Sequence, residues 1–514
     1  MHGLLRAYEQ NNWRVATGLK GEWQGWDYKA ELYKAQAHVV RRLEVTDFVG
    51  QGLVSGRVLT DPNMLKPLTP DNPLTASLNG LRNVFNTWDD SKTHTTVGHV
   101  RASRPLMEIQ GKDVMLGTGL EWRREGTDYQ YVSNTEQQPS FQAERDIQAA
   151  YLELQLPLTP QWDVTASTRW DRYSDLGTTH NNKLASRYDF DNGWSARASW
   201  GTGFRAPSVA QLQNLTKLYA IGGTSFANEC GPDILKVLSN LNASQNRNVA
   251  CERTILQVYG TGNPDLKPEL STQKSLGLAY RPTRNFSVTA DWWSVHMHDV
   301  ISTLAGDIVY ADPIKYSQFY LLDKNNKLAM QLPNYNIGQR EKSGIDFDVR
   351  WRAPVDVGQL NLFVQGIYNL KSKDQSAPGE AYVSDLARYN NITDTITPRL
   401  RLRWIAGLTT PTWSLHGVVN YTSGYDDRDR SGVNLTTLQS TPLTGFYVKS
   451  FTTLDLTATY QVNTNVSLRA TMGNVLNRQA PQAFSATATQ VFGFNTRDHS
   501  LWGRTLGVAL VAKF

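Results

Sequence analysis

The 514-residue chain has no uninterrupted run of about 18 apolar residues, which removes a membrane-spanning helix from consideration. Its first residues, MHGLLRAYEQNNW, lack the basic stretch, apolar run and small-residue cleavage site of an export signal, and Arg6 and Glu9 fall where the apolar run belongs. Charge of one sign is scarce. A formal net charge of +5 over this length argues against a dedicated nucleic-acid binder, which gathers its basic residues on one patch. Cysteine is scarcer still, at 2 residues, and with no histidine or further cysteine nearby they match no zinc-ligand spacing. Neither a serine–histidine motif nor a phosphate-binding glycine loop occurs. Acidic pairs such as Asp426-Asp427 and Asp346/Asp348 fit solvated loop tips or a charged interior, so no enzyme is expected.

What the chain does have is a period of two. From Leu506 to Phe514 every second residue is apolar (Leu506, Val508, Leu510, Ala512, Phe514), and the same rhythm sets Leu454, Leu456, Ala458 and Tyr460 against Thr453, Asp455, Thr457 and Thr459. In 399–408, Arg399, Arg401 and Arg403 alternate with Leu400, Leu402, Trp404, Ala406 and Leu408, and arginines on a lipid face would cost several kcal/mol. They are expected to point inward. Residues 345–351 repeat the arrangement, with Ile345, Phe347, Val349 and Trp351 outward and Asp346, Asp348 and Arg350 inward. A mean hydropathy of −0.44 fits a wall that is polar on one side. A soluble sandwich or propeller also alternates, but its strands average about 5–6 residues, shorter than these.

About 17 such segments can be traced, each reaching the roughly 9–11 residues that cross a bilayer. Tight turns are expected near Glu22–Trp26 and at Asp191-Asn192-Gly193, Gly111-Lys112-Asp113, Pro282-Thr283-Arg284 and Asn463-Thr464-Asn465. Long connections are expected at 44–92, 133–143, 205–267, 301–336, 372–396, 425–448 and 477–499. Short turns on one side and long loops on the other describe an all-β fold, a transmembrane antiparallel β-barrel. The first clear strand (about 11–21) and the last run the same way, so their number is odd. Bacterial barrels normally hold an even number, because a sheet left open presents unsatisfied backbone to lipid. The expectation is that strands are absent from the front.

Three motifs carry a family resemblance: GTGFRAPSVAQL (residues 201–212) leading into a long loop, GNPDLKPE (Gly262–Glu269) leaving it, and GNVLNRQAP (Gly473–Pro481) before the last loop. With the terminal Phe514, the signature by which barrels are assembled, they closely resemble the C-terminal barrel of TonB-dependent outer-membrane receptors. The resemblance covers essentially all of residues 1–514 and implies a barrel of about 22 strands filled by an N-terminal plug. Roughly five strands, the plug and the segment gripped by TonB are then expected to be missing here, so TonB would engage only through that missing region. The cell outer membrane of a Gram-negative bacterium, its lipid and the barrel-assembly machinery are the implied surroundings.

Within the motifs, Phe204, Arg205, Ala206 and Pro207, and Asn263, Pro264, Asp265 and Leu266, are expected to shape the two bases of a loop. Pro207 stops a strand by removing a ladder donor, and Asn263-Pro264-Asp265 is a turn signal. Cys230 and Cys251 share that loop and, in an oxidising exterior, are expected to form a disulfide. Haem receptors that resemble this pattern carry a histidine between the two motifs, and none lies between Arg205 and Gly262. His296 and His298 share a face, but it is the face of Phe286, Val288, Ala290 and Trp292, so an interfacial position outweighs metal binding unless a bulge flips the parity. The family likeness implies the barrel part of a receptor for a large scarce nutrient, most often a ferric siderophore. The alternative is a passive porin-like pore or a non-functional receptor fragment. No cofactor is expected.

Overall fold

The computed structural model describes residues 3–47, 83–133, 140–213, 216–219, 232–241, 257–303, 309, 312–322, 328–375, 379–390, 395–427, 431–433, 440–442, 447–483, 495, 498–500 and 502–513. Among them one sheet of 21 strands dominates. Four of these are short loop ribbons: Thr216–Tyr219, Gln257–Thr261, Tyr320–Leu322 and Val383–Ser384. The other seventeen form a wall: β1 (Gly3–Trp23), β2 (Trp26–Asp47), β3 (Asn83–Ile109), β4 (Lys112–Ser133), β5 (Phe141–Thr159), β6 (Trp162–Tyr173), β7 (Gly177–Asp189), β8 (Trp194–Arg205), β9 (Glu269–Thr283), β10 (Phe286–Thr303), β11 (Leu328–Val355), β12 (Gly358–Gln375), β13 (Leu400–Thr409), β14 (Trp413–Thr422), β15 (Phe451–Gln461), β16 (Val466–Gly473) and β17 (Thr505–Ala512).

Every wall strand pairs antiparallel with its neighbours in sequence, and β1 and β17 each keep one edge unpaired among the described residues. Seventeen strands in alternating directions leave the first and last running the same way, as the sequence parity requires.

The alternation places side chains as expected. Leu506, Val508 and Leu510 pair with Met472, Ala470 and Leu468 on one face, and Val508 is 77% exposed. Trp404 shares its face with Val364 and Val419, while Arg401 and Arg403 lie opposite, across from Ile367 and Gln365. Asp346, Asp348 and Arg350 likewise oppose the face of Ile345, Phe347, Val349 and Trp351. Arg399 lies one residue before β13, where its carbonyl accepts the Asn369 backbone N–H from β12 in the register of the β12–β13 ladder.

Short connections cluster at one end. Gln24-Gly25 (φ 51° and 75°) and Gln110-Gly111 (φ 48° and 80°) have both central residues in the left-handed region, the geometry of a two-residue type I′ hairpin. Two turns are displaced from their expected places. The β3–β4 turn is Gln110-Gly111, and Pro282 and Thr283 still belong to β9, where a register shift spares Pro282 the ladder bond it cannot donate. Near this end Trp23, Trp162, Trp194, Trp413 and Tyr460 lie on the apolar face, forming an aromatic belt.

At the other end the strands of one flank outgrow the membrane. β3 has 27 residues and β17 has 8. Along β2–β5 the apolar face carries Leu32, Val100, Leu120 and Leu152, then changes to Lys34, Gln36, His94, Arg124 and Glu144. β2 accordingly reaches Asp47 and β3 starts at Asn83, well inside the expected 44–92 connection. Phe514, Cys230 and Cys251 lie outside the described residues.

Candidate functional site: the base of the long loops

The strand ends at the long-loop side are built around one carboxylate. Arg205, last in β8, faces Glu269, first in β9, and donates two parallel bonds to it, Nε to Oε2 at 2.6 Å and Nη2 to Oε1 at 2.5 Å. Glu269 Oε1 also accepts the Ile301 backbone N–H at 2.8 Å, so a side chain only 4% exposed joins β8, β9 and β10. Planar guanidinium against carboxylate is the geometry that makes such pairs directional.

Its neighbours extend the join. The Pro207 carbonyl accepts Arg145 Nη1 from β5 at 2.8 Å, and Arg145, 9% exposed, also donates to Glu125. Phe204 meets Tyr173 edge to face at 5.9 Å. Half-buried Ala206 leads to Ser208, whose side chain caps the four-residue helix α1 (Val209–Leu212) in a reciprocal box with Gln211.

The second motif is tied to the first. Asn263 donates its backbone N–H to the Gln211 carbonyl at 2.8 Å and its Nδ2 to the Asn334 carbonyl at 2.9 Å. Its Oδ1 accepts the Asp265 N–H at 2.9 Å, closing the turn that leaves Pro264 and Asp265 exposed and Leu266 buried. A Cβ at Gly262 would overlap the Gln213 carbonyl oxygen, which is why glycine begins the motif. Asn336 in β11 completes the lacing, accepting from Lys267 N–H and donating to the Lys267 and Asp299 carbonyls. In the third motif Asn474 (φ 47°) donates its N–H to Asp455, and Asn477 (φ 49°) accepts the Arg504 N–H, so the loop between β16 and β17 leaves and returns at a fixed point.

Above these bases the loops share a core that the sequence reading missed. Helix α2 (Pro232–Asn240) presents Ile234, Val237 and Leu238 to Phe319, Tyr320 and Met330. The strand Gln257–Thr261 pairs in parallel with Ala329–Pro333 and antiparallel with Thr216–Tyr219. The β8–β9 and β10–β11 connections are therefore one packed unit. The i, i+3, i+4 spacing of Ile234, Val237 and Leu238 was its only sequence signal.

His296 and His298 keep the expected parity, paired with Thr272 and Leu270 of β9. Their rings are 6.2 Å apart, and the irregularity against β11 falls between Met297 and Val300, where His298 Nδ1 lies 3.2 Å from Asp299 Oδ2. Phe451 and His499 meet edge to face at 5.2 Å beside the β15 end. Burial pushes the His499 imidazole down from its ordinary range, with Asp498 opposing and Arg401 adding to the shift.

A sequentially paired wall of this size, apolar on one face, polar on the other and belted by aromatics, defines the class: an outer-membrane β-barrel protein. The match to the family described as TonB dependent receptor-like, beta-barrel, extends over residues 3–475, and the chain belongs to that family. It resides in the outer membrane of a Gram-negative bacterium. A probable TonB-dependent siderophore receptor, PirA, of Acinetobacter baumannii is 24% identical over 350 residues, covering 65% of this chain and 40% of that protein. The vitamin B12 transporter BtuB of Vibrio vulnificus is 31% identical over 101 residues, 20% of this chain and 16% of that one. The matches thus span less than half the length of these relatives. The crystal structure of the ferripyoverdine receptor of Pseudomonas aeruginosa, bound to ferripyoverdine, superimposes with a TM-score of 0.60 at 10% identity, over 98% of this chain and 56% of that one, a likeness of fold.

Proposed function

We propose that residues 1–514 form one barrel domain of an uptake receptor for a ferric siderophore, energised by TonB. Outer-membrane lipid surrounds this domain, and the barrel-assembly machinery inserts it. The extent of the likeness to the probable siderophore receptor PirA carries the reading, since it covers 65% of the chain against 20% for the cobalamin transporter. In this reading Phe204–Pro207 and Asn263–Leu266 are structural residues, holding the shared outer core over the polar face where cargo would arrive. No catalytic step is proposed.

Higher local identity, 31% over 101 residues, favours a second reading in which the cargo is cobalamin. Deletion of the gene and uptake assays with radiolabelled ferric catecholate, ferric hydroxamate and cobalamin separate the two. Loss of one ferric chelate, restored by the gene and abolished by a protonophore, is the expected result. Loss of cobalamin uptake alone transfers the proposal to the second reading, and uptake unchanged for all three removes both.

A further inference from the structure

At the short-turn end of the polar face, β7–β11 line a half-open cavity of about 580 Å3 that includes six arginines: Arg187, Arg197, Arg281, Arg284, Arg350 and Arg352. Its volume lies within the roughly 300–1,000 Å3 of small-molecule sites. Arg187 and Arg197 stand directly opposite each other, an arrangement that repels unless neutralised. Each has its own carboxylate: Asp189 accepts from Arg187 at 2.9 Å, and Asp291 accepts from Arg197 Nε at 2.6 Å. Arg350 lies 3.0 Å from Asp348. Among the described residues Arg281, Arg284 and Arg352 have no such partner, so half of the guanidinium groups in the cavity are uncompensated.

The backbone holds them together. The Arg281 N–H donates to the Gly193 carbonyl at 2.7 Å and the Arg352 N–H to the Asn285 carbonyl at 2.8 Å, stitching three successive hairpin bases side by side. Gly193 (φ 86°) permits this, because a Cβ there would stand 2.8 Å from the Arg281 oxygen. Stacked Trp194 and Tyr280, with ring centroids 4.5 Å apart, also line the cavity, where its rim meets the aromatic belt.

We infer that this basin binds a phosphate-type oxyanion, whose oxygens match the planar donor fork of arginine. Two sources share that chemistry, a soluble anion in the lumen and a lipid headgroup reaching the rim past the aromatic belt. The inference is independent of the cargo proposed above.

The test is arginine footprinting of the full chain in phosphatidylcholine vesicles, using 4-hydroxyphenylglyoxal and mass spectrometry, with and without inorganic pyrophosphate. Arg281, Arg284 and Arg352 should be protected about tenfold by pyrophosphate, while Arg403, exposed on the same face without a carboxylate partner, is not. Protection without pyrophosphate in phosphatidylglycerol vesicles, again sparing Arg403, assigns the oxyanion to a lipid headgroup. Equal protection of Arg403, or none at the three arginines in either arm, overturns the inference. Any added protection by pyrophosphate at Arg187, Arg197 and Arg350, which line the same cavity, should disappear with the combined substitution Arg281→Gln, Arg284→Gln and Arg352→Gln, and its persistence there would sink the assignment.

Discussion

At the scale of single residues, Glu269 is the most consequential side chain, because one buried carboxylate serves an arginine and a backbone N–H from two different strands. Arg205→Met should cost about 1.5–3 kcal/mol in urea unfolding of the detergent-folded chain, the range for a hydrogen bond to a charged group. Pairing it with Glu269→Leu should recover part of that loss, since an unpaired buried charge no longer remains. A double-mutant cycle with no coupling would reject the account. His499, 6% exposed, sets a pH dependence. Its folded-state pKa lies below its ordinary value near 6.5. As pH drops the unfolded chain takes up the proton first, so the stability contributed by the neutral imidazole is complete above about 6.5 and is lost as pH falls through the folded value. Proteolysis of the β16–β17 segment should quicken between pH 7 and pH 5 in the native chain and lose that dependence in His499→Gln.

At the scale of elements, each strand behaves as a two-sided object whose faces obey different rules. Val508→Arg, in the middle of β17 on the apolar face, should lower stability in bilayers by about 2–4 kcal/mol, whereas Thr471→Arg on the polar face of β16 should cost distinctly less. Equal losses would mean that the faces are misassigned. The same duality explains what the sequence disclosed. Where lipid meets the wall, as in β13, β15 and β17, alternation is strict and strand, face and approximate ends were legible. Above the membrane the apolar requirement lapses, so the upper parts of β2, β3 and β11 look like loop until their ladders are seen. The lacing by Asn334 and Asn336 was equally hidden, because it joins loop bases far apart in sequence. The three motifs were legible as boundaries, but their hydrogen-bond partners were not.

At the scale of the whole molecule, the odd number of wall strands among the described residues is the governing fact, because it leaves β1 and β17 parallel and one edge of each unpaired there. Hydrogen exchange of the chain in micelles should find alternate amides of β1 exchanging rapidly while their neighbours, bonded to β2, stay protected. Uniform protection along β1 would show that its free edge has found a partner in solution. The change of character along β2–β5, from Leu32, Val100 and Leu120 to Lys34, Gln36 and Arg124, has a consequence of its own. Together with Trp23 and Trp162 near the opposite end, it gives the molecule a waterline and a keel. Sinking by one residue pair would drag a guanidinium into hydrocarbon, and rising would lift indole rings out of their interface. On β1 the apolar face runs from Trp13, paired with Gln36 at the waterline, to Trp23, an interval of roughly 27 Å at the usual rise and tilt, so the chain is cut for a thin bilayer and would ride awkwardly in a thick one.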